Sequence, residues 1–466
     1  MKQTFRILSV MMLFLGVALP PSSHAQGIAD NAVFYHAIRS PWSNAYNPAL
    51  FPKSSGWYFT TSKVSLQLGL PLSYNELGLH YDPQRQVSVL DVNELLTKLK
   101  TNGCGLYNNN DINLLGFGLT TGKGFHLTAS TGLRTQLSLN VPMGLIDFIT
   151  QGNLNGSGQV EFGDENIFRS QLFAYASVGA AFELPVAPLT IGGRLNILDG
   201  IANIAIDNLS VNLLTSEDVS TMRLSSDYLV HTAGVVPIMQ IADGSFKFSS
   251  DSLKALFPNS LGFTFDLGAK FELGIFDFSF SLVDLGPGIR WRQNLTTIVP
   301  KQKDMTISFS GLDLNSLLSQ GTIDTAFIGR LKDSLLAMID YTTTQSTYRS
   351  SLPTKLYVGA SASIGKLLKV GYLFQGQWYS GWSSRFACNN TLSAHLNLFN
   401  SLELSAVNSF TFNGQSMSWL NPGCALTLSL AKRLQFFVAA EYITSMNPQK
   451  IKAAHILTGI NWVGLK

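Results

Sequence analysis

Beyond the first thirty residues, histidines stand at His36, His80, His126, His231, His395 and His455, and cysteines at Cys104, Cys388 and Cys424. Zinc-type centres draw ligands at short spacings such as C-x2–4-C or H-x3–5-H, and none occurs here. Three cysteines without motif spacing do not make a disulfide framework. Serine hydrolysis, metalloprotease chemistry, phosphate binding and dinucleotide binding would leave G-x-S-x-G, H-E-x-x-H, P-loop or G-x-G-x-x-G patterns, and the chain carries none of them. Gly116-Phe117-Gly118 lies inside an alternating stretch and reads as close strand packing. The residues able to do chemistry therefore name no enzyme and no cofactor, and the elements that carry them become the informative feature.

Charged residues are only 13% of the 466, about half the share of an ordinary soluble domain. Mean hydropathy is +0.17. Yet no apolar run beyond the N-terminus reaches the ~20 residues of a membrane helix. A net charge of +3 gives no reason to expect a nucleic-acid partner. At the N-terminus, Lys2 and Arg6 precede an apolar run over 7–19 and a small-residue site at Ser23-His24-Ala25. This predicts a signal peptide over 1–25, with the mature chain starting at Gln26.

From Trp57 onward the pattern has period two. Phe125, Leu127, Ala129, Leu133, Leu137 and Leu139 oppose His126, Thr128, Ser130, Arg134, Gln136 and Ser138; Phe263, Phe265 and Leu267 oppose Thr264, Asp266 and Gly268; Leu356, Val358, Ala360 and Ala362 oppose Tyr357, Gly359, Ser361 and Ser363. Compact turns fall at 121–124, 184–188, 273–274, 365–366, 399–400 and 431–432, and longer connections at 71–111, 141–169, 207–260, 293–351, 380–384, 413–415 and 444–453. Six short turns alternating with seven longer loops predict an all-β fold: one closed antiparallel transmembrane barrel of about fourteen strands over 57–466, both ends on the short-turn side. The polar face is rich in Ser, Thr, Gly and Gln and includes Arg134, Lys270 and Glu441, which suits a lumen. Cys424 is in phase with Leu426 and Leu428 and is expected to face lipid. Trp57, Trp291, Trp378, Trp382 and Trp462 fall near strand ends, where amphipathic rings favour the interface.

Residues 26–56 do not alternate. Pro41, Pro48 and Pro52 forbid a regular strand, while Trp42, Tyr46, Leu50 and Phe51 are poor residues for a free tail. The segment is expected to be a hatch folded into the lumen. Trp42, Tyr46, Asn47, Pro48, Ala49, Leu50 and Phe51 form its body, and Ser130, Arg134 and Glu272 are the expected wall partners. Two long loops carry apolar residues at helical spacing: Leu253, Leu256 and Phe257 in one, Phe327, Leu331 and Leu335 in the other. Short helices in these outer loops are the expected capture site for a hydrophobic ligand.

Three blocks, Gly193-Arg194-Leu195-Asn196, Asp284-Leu285-Gly286-Pro287-Gly288 and Leu352-Pro353-Thr354-Lys355, resemble those of an uncharacterised β-barrel family of Bacteroidetes outer membranes. More distantly the chain is similar to the FadL long-chain fatty-acid transporters, whose hatch begins near an Asn-Pro-Ala sequence such as Asn47-Pro48-Ala49. That resemblance implies a bacterial outer-membrane location, contact with membrane lipid, and passive passage or binding of a fatty-acid-like molecule. It also leaves open a scaffold that binds exported or secretion-system proteins, and a general porin. The chain ends Gly464-Leu465-Lys466, without the terminal aromatic common in such barrels.

Overall fold

The computed structural model describes residues 32–465 except 52–54, 71, 78, 83–85, 103–104, 122–123, 143, 145, 147–158, 216–220, 236–259, 302, 309–340, 379–385, 400, 413–416, 432 and 444–446. The expected signal peptide, the outer-loop positions Leu253, Leu256, Phe257, Phe327, Leu331 and Leu335, and Trp382 lie outside the described residues.

Fourteen strands form the barrel: β1 (Ser55–Gly69), β2 (Gly105–Thr120), β3 (Phe125–Asn140), β4 (Gln159–Glu183), β5 (Leu189–Thr215), β6 (Ser260–Leu273) and β7 (Phe276–Trp291), then β8 (Thr354–Ile364), β9 (Leu368–Trp378), β10 (Phe386–Leu398), β11 (Leu402–Phe412), β12 (Met417–Leu430), β13 (Leu434–Glu441) and β14 (Ala453–Leu465). Each pairs antiparallel with its neighbours in chain order. The β1–β14 ladder, from Ser55 opposite Leu465 to Gly69 opposite Ala453, closes the ring. Closure matters because an unpaired edge in hydrocarbon leaves backbone groups unsatisfied, at several kcal/mol each.

Burial follows the period-two pattern. His126, Asp266 and His395 are buried inside, while Leu127, Phe265 and Leu392 are exposed outside. Val178 is 65% exposed beside Ser177 at 5%. Such an apolar outer belt is stable only against lipid. Among the described residues no helix is long and apolar enough to cross a membrane. The chain is a membrane-spanning β-barrel. Cys424 is exposed on the outer face. Trp57, Trp378 and Trp462 are exposed near strand ends, whereas Trp291 is fully buried and its indole N–H donates to Ser350 Oγ at 2.9 Å.

The strands outrun the boundaries expected for several loops. β4 and β5 have 25 and 27 residues, ~80–90 Å of chain at 3.3 Å per residue, although about ten tilted residues cross the bilayer. Their upper parts continue into a sheet outside the barrel. Thr221–Ala233 pairs with β5 and with Leu295–Pro300 and Asp304–Ser308, and Tyr341–Thr344 pairs with Leu295–Pro300. Stretches expected to be loops at 207–260 and 293–351 are thus partly β-sheet. The first long connection holds a small hairpin, Leu79–Asp82 with Val87–Leu90, and an α-helix, Val92–Asn102.

Local breaks re-aim side chains. Ser62 has φ 54°, and a register shift there lets both Thr60 and Lys63 point inward. In β7 the ladder slips between Leu282 and Gly288, with φ 60° at Asp284, 149° at Gly286 and 70° at Gly288. After glycine, Asp and Asn tolerate positive φ best, which allows this bulge to turn the Asp284 carboxylate into the lumen.

Candidate functional site

Residues 32–51 contribute no strand to the barrel. Their short turns are built locally: a 3-10 turn (Ala32–Phe34), then a single helical turn, α1 (Ser43–Tyr46). Asn47 Oδ1 accepts the Ala49 N–H at 2.9 Å, and the Leu50 N–H donates to the Asn47 carbonyl at 2.9 Å. An asparagine side chain mimics a backbone turn in this way, and Pro48 fixes the next φ. Asn44 Nδ2 donates to the carbonyls of Pro48 and Leu50, both at 3.1 Å, tying α1 to the turn.

The segment meets inward-facing groups of the wall. Trp42 and Phe34 pack on Phe437, each with 5.5 Å between ring centroids, in a cluster with Val33, Val407 and Leu457. Tyr35 and Tyr46 pack on Tyr357 with centroids 5.8 and 5.7 Å away, and Leu50 adds to that cluster. Phe51 stacks on His126 at 4.4 Å. Trp42, Tyr46, Asn47, Pro48 and Ala49 are all buried, and Leu50 and Phe51 partly so.

Polar contacts also tie the segment to the wall. Glu441 Oε1 accepts the Val33 N–H at 2.8 Å, and the two oxygens of Glu403 accept the N–H groups of Ile38 and Arg39 at 2.9 and 3.0 Å. Arg194 donates to the Asn44 and Ala45 carbonyls at 3.0 and 2.7 Å, and Ser281 Oγ to the Tyr46 carbonyl at 2.8 Å. Asn47 Nδ2 reaches the Ala269 and Phe280 carbonyls at 3.3 and 3.2 Å. The sequence-based wall partners are engaged elsewhere: Arg134 pairs with Asp284 at 3.2 Å, and Glu272 with Lys270 at 2.6 Å.

Four inward-facing glycines leave the space that the segment fills. A Cβ at Gly268 would lie 2.0 Å from Asn47 Oδ1, and one at Gly192 2.6 Å from the Pro48 carbonyl group. At Gly359 it would meet Tyr35 at 2.7 Å, and at Gly371 the His36 ring at 2.4 Å. These glycines, Glu403 and Arg194 were not singled out from sequence. The available signal was glycine recurring on the polar face of β5, β6, β8 and β9, and the lone acid Glu403 in phase with Ser405 and Ser409.

Beside α1 lies a cavity of ≈ 80 Å³ lined by Trp42, Tyr58, Lys63, Arg134, Tyr175 and Asp284, among others. Three ion pairs border it: Lys63–Asp111 at 3.6 Å, Arg134–Asp284 at 3.2 Å and Arg194–Asp266 at 2.6 Å. Asp266 also accepts the Asp284 N–H at 2.8 Å and Asn196 Nδ2 at 3.0 Å, so it anchors the β7 bulge.

A family profile matches residues 48–441, which runs from the Asn47-Pro48 turn to the end of β13 and covers most of the chain. The chain belongs to DUF5723, a family of unknown function. No curated protein matches the sequence. Solved structures similar to this DUF5723 chain include the toluene transporter TbuX of Ralstonia pickettii (TM-score 0.44, 10% identity, 96% of this chain and 100% of that one) and the toluene transporter TodX of P. putida (0.42, 9%, 95% and 96%). A FadL homologue of Pseudomonas aeruginosa gives TM-score 0.45 at 9% identity, over 94% of this chain and 99% of that one.

In this DUF5723 chain, burial pushes the His36 imidazole well below its usual range, and the Lys369 ammonium and His395 add to the effect. The docked ring is neutral, with Nε2–H donating to the Tyr372 carbonyl at 3.1 Å. A lowered pKa leaves docking unaffected above the free histidine's pKa of ~6.5 and weakens it as pH falls below that value. Planar-bilayer conductance of the intact protein should therefore rise on acidification below about pH 6, and His36→Phe should flatten that rise. An identical pH response in the two proteins would contradict this reading.

Proposed function

We infer that the chain is a passive outer-membrane transporter for a small hydrophobic molecule, with residues 26–56 as its hatch. The observation that carries this reading is an apolar cluster on the lumen side, separate from the apolar patch that the 32–51 segment covers. Phe173, Leu198, Ile289, Trp291 and Leu352 are all buried on the inner side, with Tyr175 joining them to the cavity beside α1. A fatty-acid-like solute gains ~25 cal/mol per Å² of apolar surface it buries, so such a lining draws it inward without an energy source. Leu253, Leu256, Phe257, Phe327, Leu331 and Leu335 are assigned its first capture at the mouth. The buried segment 32–51 then stands between this cluster and the short-turn end, and passage requires it to shift.

Reconstituted vesicles should take up a fluorescent long-chain fatty acid faster than empty vesicles, and Trp291→Ser should slow that uptake severalfold. Uptake no faster than in empty vesicles, or equal flux of a sugar of similar size, would overturn the reading. Deleting residues 27–53 should raise single-channel conductance clearly; an unchanged closed barrel would remove the hatch from it.

A further inference from the structure

Beside the side-chain contacts of the 32–51 segment, six hydrogen bonds from the lumen wall run to its main-chain atoms. Glu441 and Glu403 together accept three backbone N–H groups, while Arg194 and Ser281 donate to three backbone carbonyls. None of these six bonds depends on which side chain the segment carries. The four inward glycines let a main chain approach the wall closely at Pro48 and leave room at Tyr35 and His36. Both carboxylates are set in place by the wall itself. Glu441 Oε2 lies 3.0 Å from His455 Nδ1, whose Nε2 is 2.8 Å from Ser65 Oγ, and Glu403 lies 3.6 Å from His395.

From this we propose that the lumen of the DUF5723 chain is a polypeptide-binding site, and that a turn-rich peptide supplied by another molecule occupies it when the resident segment withdraws. A hydrocarbon chain offers no N–H to Glu403 or Glu441 and no carbonyl to Arg194. Leaving such groups without partners costs ~1–3 kcal/mol each, more for charged ones. A peptide satisfies them with its own backbone. Its recognisable feature is a tight Asx-type turn, as at Asn47-Pro48, preceded by a helical turn such as α1. The resident segment is then a tethered competitor, favoured by an effective concentration in the millimolar range for a short flexible link. This inference rests on where the segment sits and not on the transport reading.

The test converts the tether into two molecules. The chain is exported as two pieces, residues 1–53 and a barrel piece starting at residue 54 behind its own signal peptide. If the barrel piece alone does not assemble, a protease site at 52–54 of the full chain, with cleavage confirmed on a gel, yields the same species. The short piece should copurify with the barrel and exchange with a fluorescent synthetic peptide of residues 27–53. A peptide with Tyr35 and His36 replaced by alanine should retain affinity within about tenfold, since its main-chain bonds and the Asn47 turn remain. Glu403→Gln with Glu441→Gln in the barrel should release both peptides. Palmitate at equal concentration should not displace them. Failure of the short piece to stay bound or rebind, complete loss of binding by the alanine peptide, or displacement by palmitate would each overturn the proposal; failure of fatty-acid uptake leaves it untouched.

Discussion

Gly268→Leu is expected to expel residues 44–49 from the lumen while the barrel still assembles. The first added carbon alone would stand 2.0 Å from Asn47 Oδ1 and 2.9 Å from Pro48 Cδ. Asn47 has no room to retreat: it is fully buried, and its side chain is fixed between the Ala269 and Phe280 carbonyls and the Ala49 N–H. Overpacking of a fixed contact costs ~1–3 kcal/mol before any polar bond is lost. Displacing the turn also breaks the Ser281 and Arg194 bonds to the segment. The β6 ladder is unaffected, because only the inner face of the strand changes. Bilayer conductance should approach that of the 27–53 deletion. Ala269→Leu, one residue along on the outer face, should leave conductance unchanged. A Gly268→Leu barrel that stays closed would mean that this slot does not hold the segment.

Asp266→Ala should be the most destabilising single change in the wall. One carboxylate holds the Arg194 guanidinium at 2.6 Å, Asn196 at 3.0 Å and the Asp284 N–H at 2.8 Å. Its removal leaves a buried arginine without its counter-ion, at ~3–5 kcal/mol. It also frees the backbone of Asp284, which sits at φ 60° and depends on its surroundings to stay there. The urea midpoint of the refolded barrel in detergent should fall markedly. Asp266→Asn, which keeps an acceptor for the Asp284 N–H, should fall less. Equal midpoints for Asp266→Ala and the native protein would show that the network adds nothing to stability.

Alternation made the barrel legible. Phe263, Phe265 and Leu267 against Thr264, Asp266 and Gly268 need no tertiary information to assign two faces, and six compact turns set the count of fourteen. The pattern failed where the physics changed. There the ladder runs on past the expected boundaries: β4 begins at Gln159 and β5 ends at Thr215, although 141–169 and 207–260 read as long connections. Phe437 and Leu457 are apolar residues on the inner face, where a lumen pattern calls for polar ones. They are apolar because Phe34 and Trp42 cover them, a contact across some four hundred residues that no local window contains. The Asp284 bulge was hidden in the same way, because a register slip inside β7 appears only once the ladders on both sides are known. Trp291 was expected at the interface because position along a strand does not say which face survives a double register slip.

Of the candidate site, the aromatic and Asn-Pro content of residues 42–51 was readable as a packed segment. Glu441 was readable as a lumen residue, but not as a grip on the segment, and Glu403 and Arg194 were not singled out, since the three are single residues on three distant strands. Their common target appears only once the barrel is closed.

The most direct test of the hatch account is to lock the segment in place. Phe34 and Phe437 lie with ring centroids 5.5 Å apart. In a chain whose Cys104, Cys388 and Cys424 are replaced, Phe34→Cys and Phe437→Cys joined by a short bismaleimide fix the far half of the segment to β13. Fatty-acid uptake into vesicles is then measured before and after cross-linking. The account predicts uptake in the unlinked double variant and its loss once the link forms; uptake at the same rate with the segment locked would contradict it.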